Sequence, residues 1–184
     1  MKVAYLDIET NYVGEYQYPD DRFFRDSKNH LITVLGVRVI AGNEDEFFQL
    51  VGEGVKKPDL LRILGGVQKL VTYNGRSIPD NQKGRVGFDF PVIAAQLGVV
   101  LDKEYPHTDL VPECWKRKLY GGLKQVEQTL GLRRKLPDKQ GAWAMDTWRT
   151  YQKTGEKKYL DDLLLYNRED VFMLREIEKR LAEL

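Results

Sequence analysis

The chain has 184 residues, 42% of them apolar and 31% charged, with a formal net charge of +1. That profile suits a globular chain with a substantial core and excludes a polycation, so any nucleic-acid contact must come from local patches. No apolar run approaches the ~20 residues of a membrane span, no stretch reads as a signal peptide, and a lone cysteine (Cys114) with two histidines makes a Cys/His zinc site implausible. One domain spanning 1–184 in a reducing cytoplasm is the expectation.

In chain order, VAYLDI at the start reads as a buried strand. LITVLGVRVI (31–40) and EFFQLV (46–51) predict two more, joined by a turn at Gly42 and Asn43 as an antiparallel hairpin. PDLLRILG (58–65) predicts a helix, with Pro58 in its first turn and Gly65-Gly66 as its stop. KLVTYN (69–74) is a fourth strand, and a polar insertion at 76–87 reads as a loop. DFPVIAAQLG (89–98) predicts a helix capped by Asp89 and ended by Gly98, and HTDLV (107–111) a short fifth strand. The remainder reads as helical: 122–131, then about 143–153, then 156 to the C-terminus. The order predicts an α/β fold, a mixed sheet with helices on its faces.

Three stretches carry chemistry. In LDIET, an extended backbone places Asp7 and Glu9 on the same face, roughly 7 Å apart. Two carboxylates facing together at the end of a core strand repel, and a cation between them would remove that cost. The second stretch is Tyr73-Asn74-Gly75, with Phe88-Asp89-Phe90-Pro91 following the insertion. In the third, LLLYNREDVFML, an apolar stripe of Leu160, Leu163, Leu164, Val171 and Leu174 has Tyr166 and Asp170 at its edge, four residues apart and therefore neighbours. Separately, the segment 116–135 holds seven basic residues, Arg133, Arg134 and Lys135 among them, against one acid, Glu127. Five aromatics (Tyr12, Tyr16, Tyr18, Phe23 and Phe24) crowd the long link at 11–30.

Taken together, Asp7-Ile8-Glu9-Thr10, Tyr73-Asn74-Gly75 with Phe88-Asp89-Phe90-Pro91, and Tyr166-Asn167-Arg168-Glu169-Asp170 resemble the three motifs of the DEDD superfamily of 3′–5′ exonucleases, in the tyrosine subclass. The nearest likeness is to domains akin to the proofreading exonuclease of family B DNA polymerases. The resemblance runs from residue 2 to about 175 and departs from the family in the length of the 76–87 insertion, which leaves Asp80 as an alternative to Asp89.

The resemblance implies a ribonuclease H-like fold: a mixed five-stranded sheet, three antiparallel strands then two parallel, flanked by helices. It implies a two-metal phosphodiesterase acting on the 3′ ends of single-stranded DNA or RNA. Asp7, Glu9, Asp89 and Asp170 would hold two Mg²⁺ or Mn²⁺ ions, hard cations suited to an all-oxygen ligand set. Tyr166 would position water, and Asn74, Gly75, Arg133, Arg134 and Lys135 would meet the nucleic acid. A catalytically silent binding or interaction module of the same fold is the alternative.

Overall fold

The apolar alternation of Ala4, Leu6 and Ile8 makes the first strand the spine of the sheet. In the computed structural model, residues 1–14, 26–76, 87–136, 139 and 141–184 are described. Tyr16, Tyr18, Phe23, Phe24 and Asp80 lie outside them. The strands are β1 (Lys2–Tyr12), β2 (His30–Ala41), β3 (Glu44–Val51), β4 (Lys69–Thr72) and β5 (His107–Asp109), in the order β3-β2-β1-β4-β5. β1 pairs antiparallel with β2, and β2 with β3; β1 pairs parallel with β4, and β4 with β5. The expected mixed five-stranded sheet is therefore present, and the acidic strand is its central one.

The helices are α1 (Lys57–Ile63), α2 (Asp89–Leu97), α3 (Leu101–Glu104), α4 (Leu110–Lys116), α5 (Leu123–Thr129), α6 (Gly141–Thr154) and α7 (Lys157–Glu183). One face of β1 (Ala4, Leu6, Ile8) packs on apolar residues of α1 and α2, including Leu60, Ile63 and Ile93. Tyr5, on the opposite face, joins a second core with Val111 and Cys114 of α4, Val126 of α5 and Val171, Leu174 and Ile177 of α7. Asp7 and Glu9 follow Tyr5 in the pleat and share that second face. No described helix is long and apolar enough to cross a membrane.

Three differences from the sequence reading have local causes. The fifth strand stops at Asp109, because that side chain accepts a hydrogen bond from Val111 N (3.0 Å) and starts α4. Asp89 is the first residue of α2, not its cap; Phe88 occupies the cap position with no side-chain cap bond. The short helix α3 falls where no periodic signal exists, and Leu101 anchors it in the core.

Candidate active site

Each acid reaches the site from a different element. β1 runs past the end of β4: their pairing spans Val3–Tyr5 against Lys69–Val71, and β4 ends at Thr72. The carboxyl half of β1, with Asp7 and Glu9, thus emerges at the carboxyl ends of the parallel strands, where open α/β sheets place ligands. A bulge follows directly: Glu9 pairs with Val34 but Thr10 with Ile32, leaving Thr33 as the extra residue of β2. Bulges bend a strand and re-aim its side chains, and they are frequent beside active sites.

Asp170 arrives on α7, which lies close to the sheet because residue 36, opposite Asp7, is glycine. A Cβ there would strike Asn167 Oδ1 and come within 2.9 Å of Val171 Cγ2. Asn167 uses that closeness to donate to Asp7 Oδ2 (3.2 Å), while its own Oδ1 accepts from Gln49 Nε2 (3.0 Å). Asp89 arrives through the turn at 74–75. Asn74 O accepts from Phe88 N (2.7 Å) and Gly75 O from Phe90 N (2.9 Å), so the turn binds the start of α2 directly across the long insertion. The turn is itself pinned: Asp109 accepts from Asn74 N (2.9 Å) and Arg76 N (3.2 Å). Asn74 takes a left-handed backbone, φ 67°, and a Cβ on Gly75 would collide with the Thr72 side chain.

The result is a cluster in which ligand oxygens of Asp7, Glu9 and Asp170 all lie within 4.8 Å of one another. Asp89 stands beside it, near enough that its charge and that of Asp7 act on one another, and its Oδ2 is buried without a hydrogen-bond partner. The electrostatics are those of crowded, desolvated carboxylates. Burial first, then the neighbouring Asp170, pushes Asp7 well above the ordinary carboxylate range; burial and Asp7 do the same to Glu9 and to Asp89. Asp170 is raised by burial to about 6, with the Arg134 guanidinium holding it down against that effect. A centre of positive charge would relieve all four. The donor set, all oxygen, with a buried orphan oxygen on Asp89, fits hard divalent cations.

Asp7, Glu9 and Asp170 line the floor of a cavity of about 460 Å³, walled by Tyr73, Phe88, Leu123, Met145 and Tyr166. Tyr166 is buried, its ring tilted against that of Trp143 with centroids 5.4 Å apart, and its hydroxyl accepts from Lys124 Nζ (2.7 Å). Burial, reinforced by Asp170 and Glu9, pushes its pKa upward, so the phenol keeps its proton.

The expected phosphate contacts divide. Arg133 and Lys135 are exposed, and Arg133 lines a second cavity of about 290 Å³ with Lys124 and Gln128. Arg134 turns inward: its side chain is 4% exposed and is bound to Glu127 and Asp170. Tyr12, the one described aromatic of the five in the 11–30 link, packs into the body against His30.

With this geometry in view, a family model described as RNase H superfamily matches residues 4–182. The chain belongs to the RNase H superfamily. Curated proteins searched with the same sequence yield no match. The superfamily suggests a nuclease or another role on nucleic acid, and the described residues contain a cluster of three carboxylates, Asp7, Glu9 and Asp170, able to hold a metal ion. Several residues around it escape sequence reasoning. Lys124 and Glu127 read only as part of a charged helix, Asp109 as a strand residue, and Asn167 as a spacer within its motif. Asn167 alone carried a sequence signal, a polar residue on the apolar stripe of its helix.

Proposed function

We propose that this RNase H-superfamily chain is a 3′–5′ exonuclease of the DEDD type, tyrosine subclass, hydrolysing the ends of single-stranded DNA or RNA with two Mg²⁺ or Mn²⁺ ions. The observation that carries the reading is the convergence of Asp7, Glu9 and Asp170, with Asp89 beside them, on the floor of an aromatic-walled cavity. A cavity of about 460 Å³ lies within the usual range for small-ligand sites and suits one terminal nucleotide, its base against Tyr73 and Phe88 and its phosphate over the acids.

Asp7, from the middle strand, would contribute a ligand oxygen to the cation centre. Glu9 and Asp170 would complete one ion's ligands, and Asp89 would support the other. Bound there, two divalent ions supply charge stabilisation to the attacking and leaving oxygens of an in-line displacement. The chain's own residues do the rest. Tyr166 keeps its proton and accepts from Lys124, which leaves its O–H to orient the attacking water. The turn at Asn74–Gly75, braced by Asp109, would hold the terminal nucleotide. Arg133 and Lys135 would meet phosphates further along the strand. One domain, 1–184, working in a reducing cytoplasm, completes the reading; the buried thiol of Cys114 accords with it.

The experiment compares single-stranded DNA and RNA oligonucleotides, 5′-labelled, with Mg²⁺, Mn²⁺ or chelator. A ladder shortening from the 3′ end with metal, and inert circular single strands, is the expected result. Cleavage of circles would assign an endonuclease instead. No hydrolysis of any substrate with either metal would leave a binding module of the same fold.

A further inference from the structure

Among the described residues, Arg134 is a cation buried between two carboxylates. Its guanidinium, 4% exposed, donates through Nε and Nη2 to the two oxygens of Glu127, and through Nη1 to Asp170 Oδ1. Glu127, on α5, is 2% exposed. The segment carrying Arg134 is also tied to α7 one residue before Asp170. The Glu169 carboxylate accepts from Lys135 N (2.6 Å) and Leu136 N (3.0 Å). Both the side chain and the backbone of this short stretch are thus fixed from several directions.

Stability alone is a poor account of the arrangement. Burying three charges costs desolvation that a packed apolar cluster would avoid, and such triads often add nothing to folding. What the arrangement does achieve is directional. The two-point fork on Glu127 sets the plane of the guanidinium, and an Nη1–H occupies one oxygen of Asp170, leaving Oδ2 outside the pair. A carboxylate held by one oxygen in this way cannot rotate freely, which is how outer partners orient metal ligands.

We propose that Arg134, gripped by Glu127, is a positioning residue that aims the Asp170 carboxylate at a divalent cation, and that Glu127 orients the centre through Arg134. The inference rests on the reading of the acid cluster as a cation centre. Arg134→Lys keeps the charge and loses the fork. Glu127→Gln loosens the fork from behind. Glu127→Gln with Arg134→Gln removes both buried charges together and keeps the fold testable should the single variants unfold.

The assay is calorimetric titration of the full chain with Mn²⁺, with no nucleic acid present, beside melting curves that establish folding. Arg134→Lys and the double variant should bind Mn²⁺ roughly tenfold to a hundredfold more weakly than the parent. Glu127→Gln should move the same way and add little on top of Arg134→Lys. In an Asp170→Asn background, Arg134→Lys should change Mn²⁺ binding no further. In hydrolysis, the half-saturating Mn²⁺ concentration should rise by more than the rate at saturating Mn²⁺ falls. Folded variants that bind Mn²⁺ as well as the parent, or better, overturn the proposal and make the triad a support of the fold. A parent that binds no Mn²⁺ overturns the cation reading itself, and the two failures are distinguished by that one control.

Discussion

Replacing Asp170 by Asn should disable the site and stabilise the metal-free fold, because the two quantities draw on the same charge. Burial raises the Asp170 carboxyl from 3.8 to about 6 with the Arg134 contact already included. At 1.36 kcal/mol per unit, ionising it in the fold costs about 3 kcal/mol. Since the folded pKa is above the unfolded one, the penalty is absent below pH 3.8 and reaches its full size above about pH 6. Asparagine carries no such penalty. In chelator, the difference in stability between Asp170→Asn and the parent should therefore move in the variant's favour by about 2.5 kcal/mol between pH 4 and pH 7.5, roughly 5–10 °C in melting temperature for a chain of this size. Hydrolysis should be nearly abolished, and Mn²⁺ should raise the variant's melting temperature less than the parent's. Thermal melts across pH, paired with an oligonucleotide assay, measure all of this. Parallel melting curves for the two proteins at every pH would refute the electrostatic argument. A variant that degrades oligonucleotides at the parent's rate would remove Asp170 from the site.

Three further expectations concern separate parts of the machinery. Tyr166→Phe removes a hydroxyl and no cation ligand, so hydrolysis should slow by up to about a hundredfold while the Mn²⁺ melting shift persists; loss of that shift would contradict a water-positioning role. Gly36→Ala sets a methyl against Asn167 and Val171, and should cost about 1–3 kcal/mol in urea unfolding and lower activity with it; an unchanged midpoint would mean that α7 tolerates displacement. Arg133→Ala with Lys135→Ala should weaken single-strand binding equally on all sequences and flatten the dependence of log K on log salt by about 0.7 for each phosphate no longer neutralised, and an unaltered slope in a filter-binding series would return both to a solvated loop.

How much of this was legible in the chain itself follows from the range over which each feature is set. The pairing of Asp7 with Glu9 needs only the two-residue period of an extended backbone, and that of Tyr166 with Asp170 only the four-residue neighbourhood of a helix. The hairpin, the mixed sheet and the long last helix were readable for the same reason, since apolar periodicity reports the buried face wherever it lies. Asp89 was placed in the right element but not at the right position within it. A cap is chosen by the backbone hydrogen bonds of the preceding turn, and here those run from Asn74 and Gly75 across an insertion. Packing between distant elements accounts for what was not readable. Gly36 looks like an ordinary strand glycine until α7 is laid against it, and Arg134 looks like one of seven solvated cations until Glu127 and Asp170 close around it from two helices. No local pattern encodes that inward turn. Whether a charged side chain meets water or a carboxylate depends on which groups, 7 and 36 residues away, the fold brings within hydrogen-bond reach.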